Sequence, residues 1–239
     1  MMKNRNVGMP TTELSVFIIE SLPENDPALS RRDGEILVKQ LALTLQKPKY
    51  VFAKNKVEFQ NALNDFKKSK CRFLHISCHG EKGGNVVRLG TDPVNFREFA
   101  QMFPGRLQNN RITFSTCFVG QGKLFREIFK VNNTAVHSIL GFCKGVDVEL
   151  ASAFWIAYYT LVTRLTYAGR RSQQNDTDRI HVSGLAKIVE RLSALFHVDI
   201  KLNYVSKDPK SNSWLLVDGT CVPKNTQWRS QNRWLLEEL

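Results

Sequence analysis

The chain has 239 residues, 42% hydrophobic and 23% charged, with a formal net charge of +12. That length suffices for one large core, and the balance is that of a folded globular protein, not a disordered or fibrous chain. The longest apolar stretch, Ala151 to Val162, carries Ser152 and Thr160 and falls short of the ~20 residues that span a bilayer.

Taken in chain order, Leu14 to Glu20 is a nearly continuous apolar run, as a buried parallel strand requires. A polar, Pro-containing loop is predicted from Ser21 to Asp33, then a helix carrying Ile36, Leu37, Leu41, Leu43 and Leu45. Tyr50 to Ala53 reads as a second strand, and Phe59, Leu63 and Phe66 at i, i+4 and i+7 mark an amphipathic helix. Phe73 to Gly80 is an apolar run ending in His79 and Gly80. A glycine-rich loop with Gly83, Gly84 and Gly90 follows, then a short helix from Phe96 to Phe103. Arg111 to Gly120 is the matching run, ending in Cys117 with Gly120 just beyond it. Next come a helix from Gly122 to Phe129, a strand from Thr134 to Gly141 and a long apolar helix from Val148 to Leu165. Gly169 to Asp178 is polar and predicted to be a loop, and Leu185 to Phe196 is a last amphipathic helix. His197 to Tyr204 and Trp214 to Val217 read as two short strands around the turn from Asp208 to Asn212.

The alternation of strands and helices predicts an α/β fold, a sandwich on a mostly parallel sheet. One domain over residues 1–239 is expected, with its core at about 14–196 and a β-rich C-terminal extension at about 197–239. The N-terminus, Met1 to Asn6, has no apolar run behind it, so the expectation is a cytosolic protein without a signal peptide. The five cysteines are odd in number and show no CxxC spacing, which favours reduced thiols over disulfides or a zinc site. The basic runs Arg31-Arg32, Lys67-Lys68-Ser69-Lys70 and Arg170-Arg171 are scattered and match no readout element, so nucleic acid is not the expected partner.

A parallel sheet aligns the carboxyl ends of its strands, so His79 and Cys117 are expected on one rim. A thiol attacks a carbonyl as thiolate, and a neighbouring imidazole accepts its proton. Glycine at position 80 lets the backbone approach a substrate, and the amides of Gly80 and Cys117 are candidate donors to a tetrahedral oxyanion. Duller roles remain for both: Cys117 as a small core residue, His79 as a strand-end cap. Cys78 points to the opposite sheet face and is read as core, while His75, Ser77 and His79 share a face. His75 is read as a satisfied buried polar residue or a partner behind the dyad. His137, His181 and His197 are read as structural.

The His-Gly strand end and the Ser-x-Cys strand end resemble the caspase-like fold of clan CD cysteine peptidases, and most of all the CHAT domain, a relative of separase. The similarity continues through Val136 to Gly141 into Gly145 to Glu149, and includes Glu20 to Pro23 followed by Gly34-Glu35; it covers about residues 14–195. Lys144 departs from the tryptophan of many CHAT sequences. The resemblance implies a caspase-like α/β/α sandwich and a cysteine endopeptidase, with Cys117 as nucleophile and His79 as general acid and base. It implies no required cofactor or metal, although some relatives in the clan need calcium. It also suggests two residues for the pocket that holds the P1 side chain. Arg32, in Arg32-Asp33-Gly34, would suit an acidic P1, and Asp147 a basic one; their ordinary roles are a solvated loop charge and a helix cap. A pocket using neither would suit an apolar P1. By family analogy the partner is a protein substrate, for example a gasdermin-like pore-former activated by cleavage in bacterial antiviral defence. The rival readings are a catalytically silent interaction module binding protein or nucleic acid through its basic surface, and an enzyme that cleaves itself within Gly169 to Asp178.

Overall fold

β1 (Val16–Ser21) sets the pattern: Phe17 and Ile19 pack on one side of the sheet, Val16 and Ile18 on the other. The computed structural model describes residues 15–26, 32–43, 47–69, 71–83, 85–103, 107, 110–121, 123–131, 136–172, 182–207 and 214–217. After β1 come helix α1 (Asp33–Leu43), strand β2 (Lys49–Phe52), helix α2 (Lys56–Lys68) and strand β3 (Phe73–Gly80). A hairpin of β4 (Val86–Leu89) and β5 (Asp92–Asn95) leads into α3 (Phe96–Met102). The chain continues through β6 (Asn110–Ser115), a 3-10 turn (Val119–Gln121), α4 (Lys123–Val131) and β7 (Val136–Phe142). It closes with α5 (Val148–Ser172), α6 (Val182–Phe196), β8 (Ile200–Lys207) and β9 (Trp214–Val217).

The main sheet runs β2-β1-β3-β6-β7-β8-β9. The pairs from β2 to β7 are parallel, and β8 and β9 add on antiparallel. Helices α2, α3 and α4 cover one face through Phe59, Phe66, Phe99, Phe125 and Phe129. Helices α1, α5 and α6 cover the other through Leu37, Phe154, Trp155, Tyr159 and Leu192. This is the α/β/α sandwich on a mostly parallel sheet that the alternation predicts. Asparagine starts two of the helices: the Asn55 side chain accepts from Glu58 N at 2.9 Å and Asn95 from Glu98 N at 2.9 Å. No described helix is long and apolar enough to cross a membrane.

Three predicted segments differ. The loop expected after His79 contains the β4–β5 hairpin, which turns through Gly90 at φ +59°, a conformation that suits glycine. Its strands have four residues each, and Pro93 lies in one, so no periodic signal marks them. Helix α5 runs on to Ser172, so Gly169 to Ser172 is helical instead of loop, while 173–178 lie outside the described residues. Asp33 opens α1 and does not belong to the preceding loop. His181 lies outside the described residues.

Candidate active site

The parallel register pairs Ser77 with Ser115, so His79 and Cys117, each two residues further on, leave the sheet at one level. The two strand ends touch: a Cβ on Gly80 would overlap the carbonyl oxygen of Cys117. The chain then turns sharply, with Phe118 at φ +64°, a left-handed conformation uncommon for a bulky residue and often found at functional sites. That turn ends the strand and lets Cys117 stand at its tip. Cys117 is half-buried, whereas Cys71, Cys78 and Cys143 are buried. Its Sγ accepts from Val146 N at 3.4 Å and lies 3.8 Å from Val146 O, in the segment between β7 and α5.

His79 sits where the strand order reverses. From β1 the chain goes outward to β2 and then crosses to β3 on the other side of β1, which opens a crevice at the carboxyl ends of β1 and β3. The loop of residues 22–26 follows β1 there. Asp26 in that loop is largely buried, and its carboxylate meets His79 Nε2. The imidazole is partly exposed, and Nδ1 is the nitrogen left for another partner. His79 and Cys117 make no hydrogen bond to each other in this arrangement.

Beneath this rim lies a polar floor. Ser77 and Ser115 each donate to one carboxylate oxygen of Asp33, which also accepts from Gly34 N at 3.0 Å. Asp33 thereby ties β3 to β6 from the start of α1. Beside it is Glu20, fully buried on β1, accepting from Tyr50 Oη at 2.6 Å and Gly34 N at 3.1 Å. Burial, and then the negative charge of Asp33, push the Glu20 carboxyl up to about 8. The Glu20 carboxyl therefore holds its proton at neutral pH. Burial and the Glu20 contact push the Tyr50 phenol up as well.

One tier lower, His75 Nδ1 lies 3.0 Å from Thr113 Oγ1 and 3.3 Å from Tyr159 Oη, with Thr113 and Tyr159 2.7 Å apart. Its ring meets Trp155 edge-on, centroids 5.2 Å apart. Burial lowers the imidazole to about 4 and keeps it neutral. His75 is thus the satisfied buried residue of the sequence reading on its Nδ1 side, while its Nε2 has no described partner. Cys78 is core, against Thr116 Oγ1 at 3.3 Å, and burial pushes its thiol up to about 12.

The two candidate P1 residues lie beside the contacts that are made. Arg32 directs its guanidinium over the Phe52 ring, 4.2 Å from the centroid, while its neighbour Asp33 joins the floor. Asp147 is exposed, and its carbonyl accepts from Ala151 N at 2.9 Å in the first turn of α5; its neighbour Val146 meets the cysteine. Lys144 pairs with Asp199. His197, at φ +53°, turns the chain out of α6. The sequence assigns no role to Asp26, and brings in Glu20, Asp33 and Ser115 only as parts of the Glu20 to Pro23, Arg32-Asp33-Gly34 and Ser-x-Cys motifs. Glu20 was visible as a lone acid in a strand that must be buried, and the serines as the residues two before each reactive one.

No family model and no curated protein sequence matches the chain. Among solved structures it is similar to a secreted C11 cysteine protease of Bacteroides thetaiotaomicron, "iotapain", with a TM-score of 0.50 and 11% identity. The match covers 81% of this chain and 66% of the protease, so this chain spans about two thirds of the protease's length. A short-chain flavodoxin associated with a bacterial microcompartment matches with a TM-score of 0.35 and 10% identity, over 59% of this chain and 92% of the flavodoxin. The first likeness identifies the fold as caspase-like, of the kind that clan CD cysteine peptidases use. It does not single out the CHAT type.

Proposed function

We propose that the chain is a cysteine endopeptidase with Cys117 as nucleophile and His79 as general acid and base. The single observation that carries this reading is the contact of the two strand ends, where Gly80 admits the Cys117 carbonyl at a distance no other residue type allows. The Cys117 thiol gives its proton to His79 Nδ1, and sulfur attacks the peptide carbonyl carbon. The Gly80 and Cys117 amides receive the oxyanion, and the imidazolium returns the proton to the departing amine. Water, deprotonated by the imidazole, then hydrolyses the thioester. Asp26 is a positioning residue: by holding Nε2 it turns Nδ1 towards the sulfur side and stabilises the imidazolium. The Val146 N–H solvates negative charge on sulfur.

For the P1 side chain we favour a cation. Beneath the strand ends lies Asp33, held by Ser77 and Ser115, with Asp26 against His79, whereas the Arg32 guanidinium is engaged over Phe52. An arginine or lysine entering above Ser77 and Ser115 would meet the Asp33 side chain. The exposed Asp147 is a second, weaker attraction at the rim. Activation of a pore-forming partner in antiviral defence extends this reading by family resemblance alone.

Acyloxymethyl-ketone peptides with Arg, Asp or Leu at P1 test it on wild type, Cys117→Ala and His79→Ala. The expected outcome is labelling of wild type, strongest with Arg, lost in Cys117→Ala and at least about a hundredfold slower in His79→Ala. Equal labelling of Cys117→Ala would refute the nucleophile, and preference for Asp would return the P1 role to Arg32.

A further inference from the structure

Away from the strand ends, an open cleft of about 760 Å³ lies between α3 and α4, closed at one end by the β4–β5 hairpin. Arg97 lines it from α3, and Lys123, Arg126 and Lys130 line it from α4. In the sequence these cations are unremarkable, and the fold brings them face to face. On α4 they recur at i, i+3 and i+7, a row about 10 Å long, while Leu124, Phe125, Ile128 and Phe129 of the same helix enter the core. Against four cations the cleft sets one carboxylate, Glu127, which is already paired with Lys130 at 2.7 Å. Arg97 and Lys123 are exposed and have no ion-pair partner among the described residues.

A solvated helix face would explain the α4 row alone. It does not explain a second helix presenting Arg97 across a concave gap, nor the side-chain amides that complete the opposite wall. The side-chain amides of Asn85 and Gln101 are exposed there and make no hydrogen bond with a described residue, although the Asn85 carbonyl accepts from Phe96 N at 2.7 Å. Cations face each other across the cleft, with the Gln101 and Asn85 amides beside Arg97, and this fits a backbone of phosphates held between the two helices with bases turned towards the amides. The openness of the cleft and the linear cation row favour a strand passing through over a small enclosed ligand. We propose that this cleft binds a short stretch of single-stranded nucleic acid. The ligand would rest on the elements that lead out of both reactive residues: the hairpin pairs with His79 and Gly80, and α4 follows Cys117 through the 3-10 turn.

The test is fluorescence anisotropy with a fluorescein-labelled 12-nucleotide oligothymidylate, run on the full chain and on Cys117→Ala. Binding is expected in both, because the cleft does not depend on the thiol; probe labelling reports the peptidase reading separately. The affinity should fall with salt at a log–log slope of about −2 to −3, for three to four phosphates neutralised. Lys123→Glu with Arg126→Glu, and Arg97→Glu alone, should each weaken binding at least about tenfold. Reversing Lys67 and Lys68, the densest basic run of the sequence but outside the cleft, should change it less than about twofold. Circular dichroism checks that each variant folds. The proposal is overturned if the Lys67 and Lys68 reversal weakens binding as much, which would make the attraction a property of net charge. It is equally overturned if polyglutamate competes as well as unlabelled oligonucleotide, or if ATP does so at equal phosphate concentration.

Discussion

The two faces of the central strands are built from the same alternation and used for opposite ends. On the α2–α4 side, β3 and β6 present Leu74, Ile76, Ile112 and Phe114 to a phenylalanine-rich layer with Phe99 and Phe125 against Phe114. On the α1 and α5 side the same strands present His75, Ser77, Thr113 and Ser115, all buried or nearly so. The first face supplies cohesion. The second accepts the cost of burying polar groups and meets most of it with partners, Asp33 above and Tyr159 below, leaving His75 Nε2 without a described one. The site proposed at the two strand ends stands on fixed hydrogen bonds, whose directions are more exacting than those of apolar contacts.

The sharpest test of the contrast is Phe114→Ala. It should cost about 3–5 kcal/mol by leaving a cavity between Phe99 and Phe125, yet leave probe labelling intact in the molecules that remain folded. Denaturant melts and labelling at low temperature separate the two readouts. Next in size, Ser77→Ala or Ser115→Ala should each cost roughly 1–3 kcal/mol, because Asp33 keeps a buried oxygen without its donor. Here labelling with the Arg probe should fall along with stability, and an unchanged rate would break the link between floor and site.

The raised Glu20 carboxyl gives a pH signature. A carboxyl raised from 4.5 to about 8 binds its proton more tightly folded than unfolded. Stability is therefore lost as pH rises through that window and levels off above it. His75 acts in the opposite sense: lowered to about 4, it costs stability as pH falls from 6.5 towards 4. Between pH 6.5 and 8.5 the Glu20 effect stands alone, at roughly 2 kcal/mol, and Glu20→Gln should flatten it in chemical denaturation. A wild type with no slope there would mean that Glu20 is already ionised. The smallest effect on stability is expected from Asp26→Asn, which should leave the unfolding midpoint near that of wild type but slow labelling at Cys117 about tenfold or more. An equal loss in both measurements would make Asp26 a structural residue only.

Much of the strand framework is legible in the sequence because buried parallel strands need long apolar runs, and β1, β3, β6 and β7 have them. His79, Gly80 and Cys117 were visible as the residues that interrupt those runs, and their meeting follows from parallel register. The partners were not. Asp26 reaches His79 across 53 positions and Asp33 reaches Ser115 across 82, through loop geometry that no local period encodes. The sequence drew attention to Arg32 and Asp147, whereas contacts fall to the next residue in one case and the preceding one in the other. In irregular segments a shift of one residue reverses a side chain's direction, and periodicity gives no warning of it. The cleft between α3 and α4 was hidden for a related reason: its cations come from separate helices, so no run announces them.

Trp155, edge-on to His75 in the lowest tier, gives this floor an optical voice. A protonated imidazole quenches indole emission, whereas a neutral one at the same place does so weakly. The fluorescence of a chain in which Trp155 is the sole remaining tryptophan would therefore dim as His75 takes up its proton. It would report in real time, and without any added dye, when the ground beneath the two strand ends gives way.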